Sequence, residues 1–329
     1  MSAPIAITGG HTVQPAGAAL PMEDVAASVR ERIARVERLS ALSLLAAAGA
    51  LDAARLDDRV PHERVGVVLG TAFGCFLTNA EYERRFAAGG VPAASPRLFA
   101  ATVSNAAAGE VAIAFGLAGP GITLTAGAAS GTVALSHAVN ALDPVQPRAD
   151  VTPVLAVLAG GVDAVDAALS AWIDAGGFVA ERPLACAASL LVLEPLAAAR
   201  RRGAAIRGTI LGCAVGFEPA PLVPHAGAGL GAAIARAIER SGVPAAAIEG
   251  IVSSGRPALR GGEERALAAV FGDRATPSRA DAPDVLAAAG PRAVLDAVAT
   301  PPAGTVTLVV DACTSGHVAA MVVRSGAGE

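Results

Sequence analysis

Short apolar runs rich in valine and isoleucine alternate along the chain with longer, alanine-rich amphipathic stretches, and this alternation restricts the fold more than any other feature. Strand-like runs span Ile5 to Thr8, Arg64 to Leu69, Ile122 to Thr125, Val154 to Ala159 and Ser189 to Glu194. Helical periodicity fills Val25 to Ala53 and the stretch after Gly131. Strand, helix, strand, helix in that order predicts an α/β protein whose sheet is covered on both faces. A second, shorter series follows from Ala205. It has a strand near Ile210, a helix from Leu230 to Ser241, a strand from Ile248 to Val252 and a helix from Glu263 to Phe271. A helix around Val285 to Val298 and strands Thr305 to Val310 and His317 to Val323 close it. The chain therefore reads as internally doubled. The joint is the arginine-rich "LAAARRRGAA" at 196–205, a helix end followed by glycine. This gives halves of 1–200 and 201–329, expected to form one compact unit because no low-complexity linker separates them. Stretches 137–153 and 273–284, rich in proline and aspartate, read as surface connections.

Composition narrows the chemistry. All 25 basic residues are arginine, so no lysine can act as a base or Schiff-base former. A net charge of −4, with arginines scattered apart from Arg200-Arg201-Arg202, argues against a nucleic-acid partner. Cys75, Cys186, Cys213 and Cys313 lie far apart without CxxC spacing, which argues against a metal site or a disulfide framework and favours a reducing, cytoplasmic setting. The amino-terminal residues lack the basic start and apolar core of a signal peptide. Residues 111–136 carry no charge, long enough to raise a membrane span. Gly116, Gly119, Pro120, Gly121, Gly127 and Gly131 interrupt them, so strand, turn and buried helix are expected instead. Gly160-Gly161-Val162-Asp163 lacks the GxGxxG spacing of a dinucleotide fingerprint, and no cofactor is expected.

"DACTSGH", residues 311–317, has the look of a nucleophile turn. A nucleophile elbow needs a helix after it, whereas Val318 to Val322 forms a β-type run. Cys313 therefore reads as a turn residue between two strands, with a reactive thiol at Cys313 and a working base at His317 as the alternative. Cys75, in "GTAFGCFL", reads as a small buried thiol, with pocket lining as the alternative. Cys186 and Cys213 read as core.

The segment Ser95 to Leu142, "SPRLFAATVSNAAAGEVAIAFGLAGPGITLTAGAASGTVALSHAVNAL", resembles the β-ketoacyl synthases of fatty acid and polyketide biosynthesis. Their corresponding stretch has a helix, a Gly-Pro turn, a strand and a nucleophilic cysteine in a Thr-Ala-Cys-Ser/Thr-Ser-Gly elbow. Ile5 to Gly9 resembles that family's opening strand, and Val65 to Gly74 the strand and turn after its first helix. Ser189 to Glu194 with Leu196 to Gly203 is similar to its strand ending in Val-Leu-Glu and the following helix. The likeness runs nearly end to end, on a chain shorter than a typical member. It implies a thiolase-like fold, two βαβαβαββ halves related by a pseudo-twofold in a five-layered α-β-α-β-α arrangement.

Condensation in that family needs a thiolate, its pKa lowered at a helix N-terminus whose amides also stabilise the oxyanion. Matching "GPGITLTAGAASG" to the elbow puts Ala128 where the cysteine belongs, and a methyl group cannot be acylated. The family's two histidines and its lysine fall on Val252, Asp284 and Arg279 by the same resemblance, and an ion pair between Asp284 and Arg279 is expected there. His11, His62, His137, His225 and His317 all lie outside these motifs, and Cys313, Ser315 and His317 would line a remnant cleft.

This pattern is similar to the cysteine-less chain-length factor, or ketosynthase β subunit, of type II polyketide synthases. Alanine rather than glutamine at the cysteine position points to an aryl polyene or other reducing polyene branch. The resemblance implies a heterodimer with an active ketosynthase, an acyl carrier protein reached through that complex, and an apolar interface of roughly 2,000 Å² or more. Val111 to Ser136 would supply it, with Ile122, Leu124 and Thr125 on the strand that pairs across the dimer axis and Phe99 with its neighbours at the tunnel. The alternative is a decarboxylase or acyltransferase with its nucleophile relocated to Cys313 or Cys75. Val252 and Asp284 in place of histidines weigh against decarboxylation.

Overall fold

A computed structural model describes residues 3–23, 25–57, 59–143, 153–176, 182–219, 227–253, 255–274, 277–279 and 283–326, with the backbone alone for Arg279. The first series of elements is β1 (Ile5–Val13), α1 (Ala27–Ile33), α2 (Arg38–Ala54), β2 (Val65–Gly70), α3 (Phe76–Gly89), α4 (Pro96–Ala100), α5 (Ala106–Phe115), β3 (Gly121–Leu124), α6 (Ser130–Leu142), β4 (Ala156–Asp163), α7 (Ala167–Ala175), β5 (Ala187–Pro195) and α8 (Leu196–Arg202). The second is β6 (Gly208–Phe217), α9 (Ala228–Ser241), β7 (Gly250–Ser253), α10 (Arg260–Phe271), β8 (Ser278–Arg279), α11 (Ala289–Ala299), β9 (Val306–Ala312) and β10 (His317–Ser325).

The strands form one ten-stranded sheet in the order β3-β2-β4-β5-β1-β6-β10-β9-β7-β8. Read outward from the centre, β1-β5-β4-β2-β3 on one side repeats as β6-β10-β9-β7-β8 on the other. The directions repeat as well: β5 and β10 are antiparallel to their neighbours, whereas β4-β2-β3 and β9-β7-β8 are parallel. Antiparallel pairing of β1 with β6, Ile5 opposite Ile210, joins the two sides. The doubling read from periodicity is thus a pseudo-twofold in the sheet.

Three apolar layers explain why both faces of these strands are hydrophobic. All six residues of β2 and all eight of β4 are buried, as expected of parallel strands covered twice. On one outer face, α2 and α5 pack on β1, β2, β4 and β5 through Leu42, Leu44, Ala46 and Val111. On the other, α9 and α10 pack on β6, β9 and β10 through Leu230, Ile234 and Leu267. Between the two sides lie α6 and α11, whose Leu135, Val139 and Val294 meet Leu191, Ile210, Val309 and Met321. The arrangement is α-β-α-β-α, the thiolase-like architecture.

Several expected boundaries move for physical reasons. The helical stretch from Val25 to Ala53 is two helices, because Glu37 stops and restarts it: its side chain accepts from Ser40 N at 2.9 Å and caps α2. The stretch read as a connection from His137 begins inside α6, which continues to Leu142 because Ala138, Val139 and Leu142 face the central core. The rest of that stretch, from 144 to 152, lies outside the described residues. The stretch 273–284 contains β8, which pairs with β7. Near the sequence joint, buried Glu194 takes both Nε and Nη2 of Arg202 at 2.7 Å and the Thr8 hydroxyl at 2.5 Å. Arg202 also donates to Ala54 O and Arg55 O, satisfying carbonyls at the end of α2. Among the described residues, no helix is long and apolar enough to cross a membrane.

Candidate active-site elbow and the ion triad behind it

The chain leaves β3 and turns into α6 through Ala126-Gly127-Ala128-Ala129. Gly127 has φ +57°, a left-handed conformation that favours glycine. Ser130 locks the turn, accepting from Ala126 N at 2.7 Å and donating to Thr71 O at 2.9 Å. Ala128 is half-buried in this turn, at the N-terminus of a 13-residue helix. It offers a methyl group where the dipole of the helix would support an anion.

Against this turn lies the loop between β9 and β10. A Cβ built on Gly127 would stand 2.6 Å from Ser315 Oγ and 3.0 Å from Cys313 Sγ, so "DACTSGH" and the elbow are in contact although they come from opposite halves. Cys313 is 2% exposed. Its thiol donates to Ala126 O at 3.2 Å and lies 2.9 Å from Ser315 Oγ, which in turn is 3.1 Å from His317 Nδ1. The strand β10 follows at once, in place of the helix a nucleophile elbow requires. Cys75 is also buried and donates to Thr102 O at 2.9 Å. Cys186 and Cys213 are buried as well.

The second-half positions are tied together by Arg256, which sequence reasoning left unassigned. Its guanidinium is 8% exposed and donates from Nε to Asp284 Oδ2 at 2.9 Å and from Nη1 to Asp311 Oδ1 at 2.8 Å. It also donates to the carbonyls of Ala312, at 2.6 Å, and Leu286, at 3.3 Å. Thr132 on α6 donates to the other oxygen of Asp311 at 2.8 Å, so the network spans both halves. Burial opposes the charge of Arg256, but Asp284 and Asp311 outweigh it and raise its pKa. Burial likewise works to raise the pKa of Asp284, but Arg256 outweighs it and the net shift is downward. Asp284, expected to pair with Arg279, is held by Arg256, with Arg182 Nη2 at 3.9 Å. The side chain of Arg279 lies outside the described residues. Half-buried Val252, on β7, shares a cavity of about 540 Å³ with Arg182, Ser253 and Asp284.

A second buried carboxylate works as a latch. Asp163, at the end of β4, accepts from Thr71 Oγ1 at 2.8 Å, the amides of Ala72 and Phe73 at 3.0 and 3.1 Å, and Ala287 N at 3.0 Å. Full burial pushes its pKa up to about 6, while the donors, Ala287 N first among them, hold it down. The folded value lies above that of an exposed aspartate, so this contribution to stability is complete below about pH 4 and is lost as pH rises through 6. Urea unfolding of the wild type and of Asp163→Asn should therefore show the wild type losing ~3 kcal/mol relative to the variant between pH 4 and pH 7. A constant difference across that range would contradict the assignment.

The candidate tunnel and interface residues lie on a separate flank. Phe99, on α4, is 60% exposed, with its ring 5.6 Å from that of Tyr82. Ile122 and Leu124 are half-buried on β3, which among the described residues ends the sheet and pairs only with β2, and Thr125 is exposed just beyond it. Among the described residues, no histidine or cysteine side chain meets the Arg256 network, and no group of three or more His, Cys, Asp or Glu could hold a metal ion.

Two pseudo-symmetric βαβαβαββ halves, with an elbow opening the central helix of the first, give a thiolase-like fold of the ketosynthase type. Residues 4–193, more than half the chain, match the family described as "Beta-ketoacyl synthase, N-terminal domain". This chain belongs to the β-ketoacyl synthase family. Erythronolide synthase EryA3 of Saccharopolyspora erythraea is 31% identical over 194 residues, which cover 54% of this chain and 6% of that much longer protein. Among solved structures, the ishigamide ketosynthase/chain length factor superposes with a TM-score of 0.76 at 24% identity, over 98% of this chain and 99% of that one. A type II polyketide synthase acyl-carrier protein in complex with its ketosynthase bound to the hexaketide gives 0.82 at 18%, over 99% and 100%. A β-ketoacyl synthase from Burkholderia phymatum gives 0.80 at 17%, over 99% and 100%.

Proposed function

We propose that this chain is the non-condensing subunit of a type II polyketide ketosynthase, a chain-length factor that pairs with an active ketosynthase and shapes its acyl tunnel. The observation that carries the reading is the methyl group of Ala128 at an otherwise retained elbow. The second-half positions support it: Arg256, Asp284 and Asp311 satisfy one another and leave neither an imidazole nor an amine to polarise a malonyl thioester. A group so paired is held in place, so its chemistry is structural.

The half-buried edge strand β3, with exposed Phe99 and Ile113 on neighbouring helices, supports an interface on that flank. The likeness to the ishigamide ketosynthase/chain length factor accords with such a pair. Alanine at 128 leads us to place the chain in a polyene-type branch. Burial of Cys313 and Cys75 speaks against a relocated cysteine nucleophile.

Co-expression with the ketosynthase encoded nearest to it, followed by native mass spectrometry, tests the pairing. A 1:1 heterodimer is expected. A stable homodimer that ignores the ketosynthase would overturn it.

A further inference from the structure

The strongest reactive arrangement on the molecule is one the partner reading does not use. Ser315 is exposed, with its hydroxyl 3.1 Å from His317 Nδ1 and 2.9 Å from Cys313 Sγ. That hydroxyl also lies against Gly127, just before the first turn of α6, where the Ser130 amide donates to Gly127 O at 3.1 Å and helix geometry leaves the amides of Gly131 and Thr132 without a partner inside the helix. A nucleophile and a base within hydrogen-bond reach thus meet beside a helix N-terminus, although neither stands at a position the family's chemistry would assign.

We propose that Ser315 and His317 form a nucleophile-base dyad that takes an acyl group from an acyl thioester and passes it to water. In the first step the Ser315 Oγ–C bond forms as the C–S bond breaks, and the hydroxyl proton moves to His317 and on to the leaving thiolate. In the second, His317 takes a proton from water, hydroxide attacks the serine ester, and the proton returns to Ser315 Oγ. The sum is thioester plus water giving carboxylic acid plus thiol.

Three features select this substrate class. Among the described residues no carboxylate bonds to His317, so the dyad lacks the third group that assists expulsion of a poor leaving group. A thiolate is a good one and needs less assistance. Beside His317, the Phe217 ring packs edge-on at 5.4 Å. Phe217 and Val215 are 53% and 43% exposed and two apart on β6, hence on one face, which gives an apolar strip for an acyl chain. Cys313, buried beneath, is not the nucleophile.

The test uses the full chain, alone or in whatever complex it purifies with, treated with a fluorophosphonate probe and separately with the octanoyl thioester of N-acetylcysteamine. Peptide mass spectrometry assigns the labelled residue to this chain, so the result is independent of the partner reading. Labelling of Ser315 is expected, together with thiol release that falls at least ~100-fold in Ser315→Ala and in His317→Gln and stays within a few-fold in Cys313→Ala. Ser315 is exposed and His317 half-buried, so unchanged melting temperatures would separate lost chemistry from lost folding. Thiol release that is unaltered by Ser315→Ala, absence of any label on Ser315, or label on Cys313 would each overturn the proposal.

Discussion

Arg256→Ala is expected to destabilise the protein by ~3–5 kcal/mol. The substitution leaves Asp311, fully buried, without the guanidinium that pairs with it, and Asp284, half-buried, with Arg182 at 3.9 Å in place of a direct contact. It also strips the carbonyls of Ala312 and Leu286 of a donor. Part of the loss should return in the triple variant Arg256→Met, Asp284→Asn, Asp311→Asn, because the cost comes from unpaired charge rather than lost volume. Urea unfolding monitored by circular dichroism measures both. A loss below ~1 kcal/mol for Arg256→Ala would mean that the network is not the support described here.

The second large effect comes from a hydrogen replaced by a methyl. A Cβ at Gly161 would stand 1.9 Å from Ala287 O and 2.4 Å from its carbonyl carbon. The same oxygen is 2.0 Å from a Cβ built on Gly131. The Ala287 carbonyl is thus wedged between the end of β4 and the start of α6 while its amide is held by Asp163. Since the obstacle is backbone on both sides, no rotamer relieves it. Gly161→Ala should cost ~3 kcal/mol and lower Tm by on the order of 5–10 °C. Gly109→Ala is the control: it sits mid-helix in α5 with nothing within 4 Å of the new methyl. It should be neutral or raise stability by up to ~1 kcal/mol. Equal effects at the two glycines would contradict the packing account.

Much of this architecture was legible in the residues. Continuous apolar runs and a 3.6 period mark the long central elements, because β4, β5 and β9 are buried on both faces and α9 on one. They miss α3 and α4, where the aromatic side chains Tyr82, Phe86 and Phe99 pack on each other at the surface and leave no apolar stripe facing a core. The elbow was legible because its turn chemistry is local: Gly127, Ser130 and the helix after them lie within a few residues. The Arg256 network was not. Its carboxylates lie 28 and 55 residues away, and no local pattern says which arginine reaches Asp284. An aspartate directly after Val309-Val310 in an apolar strand was the available signal, since a buried charge needs a partner. Nor does the string distinguish Cys313, turned inward, from Ser315 two residues on, turned out.

The account's central claim is that condensation in the complex uses the partner's thiol and none from this chain. The most direct measurement is malonyl-carrier condensation by the copurified heterodimer, with this chain carrying Cys75→Ser and Cys313→Ser together. Activity within a few-fold of wild type, abolished when the partner's own nucleophilic cysteine is replaced, is the predicted result. Loss of condensation with Cys75→Ser and Cys313→Ser in a complex that still assembles would contradict it and return the nucleophile to this chain.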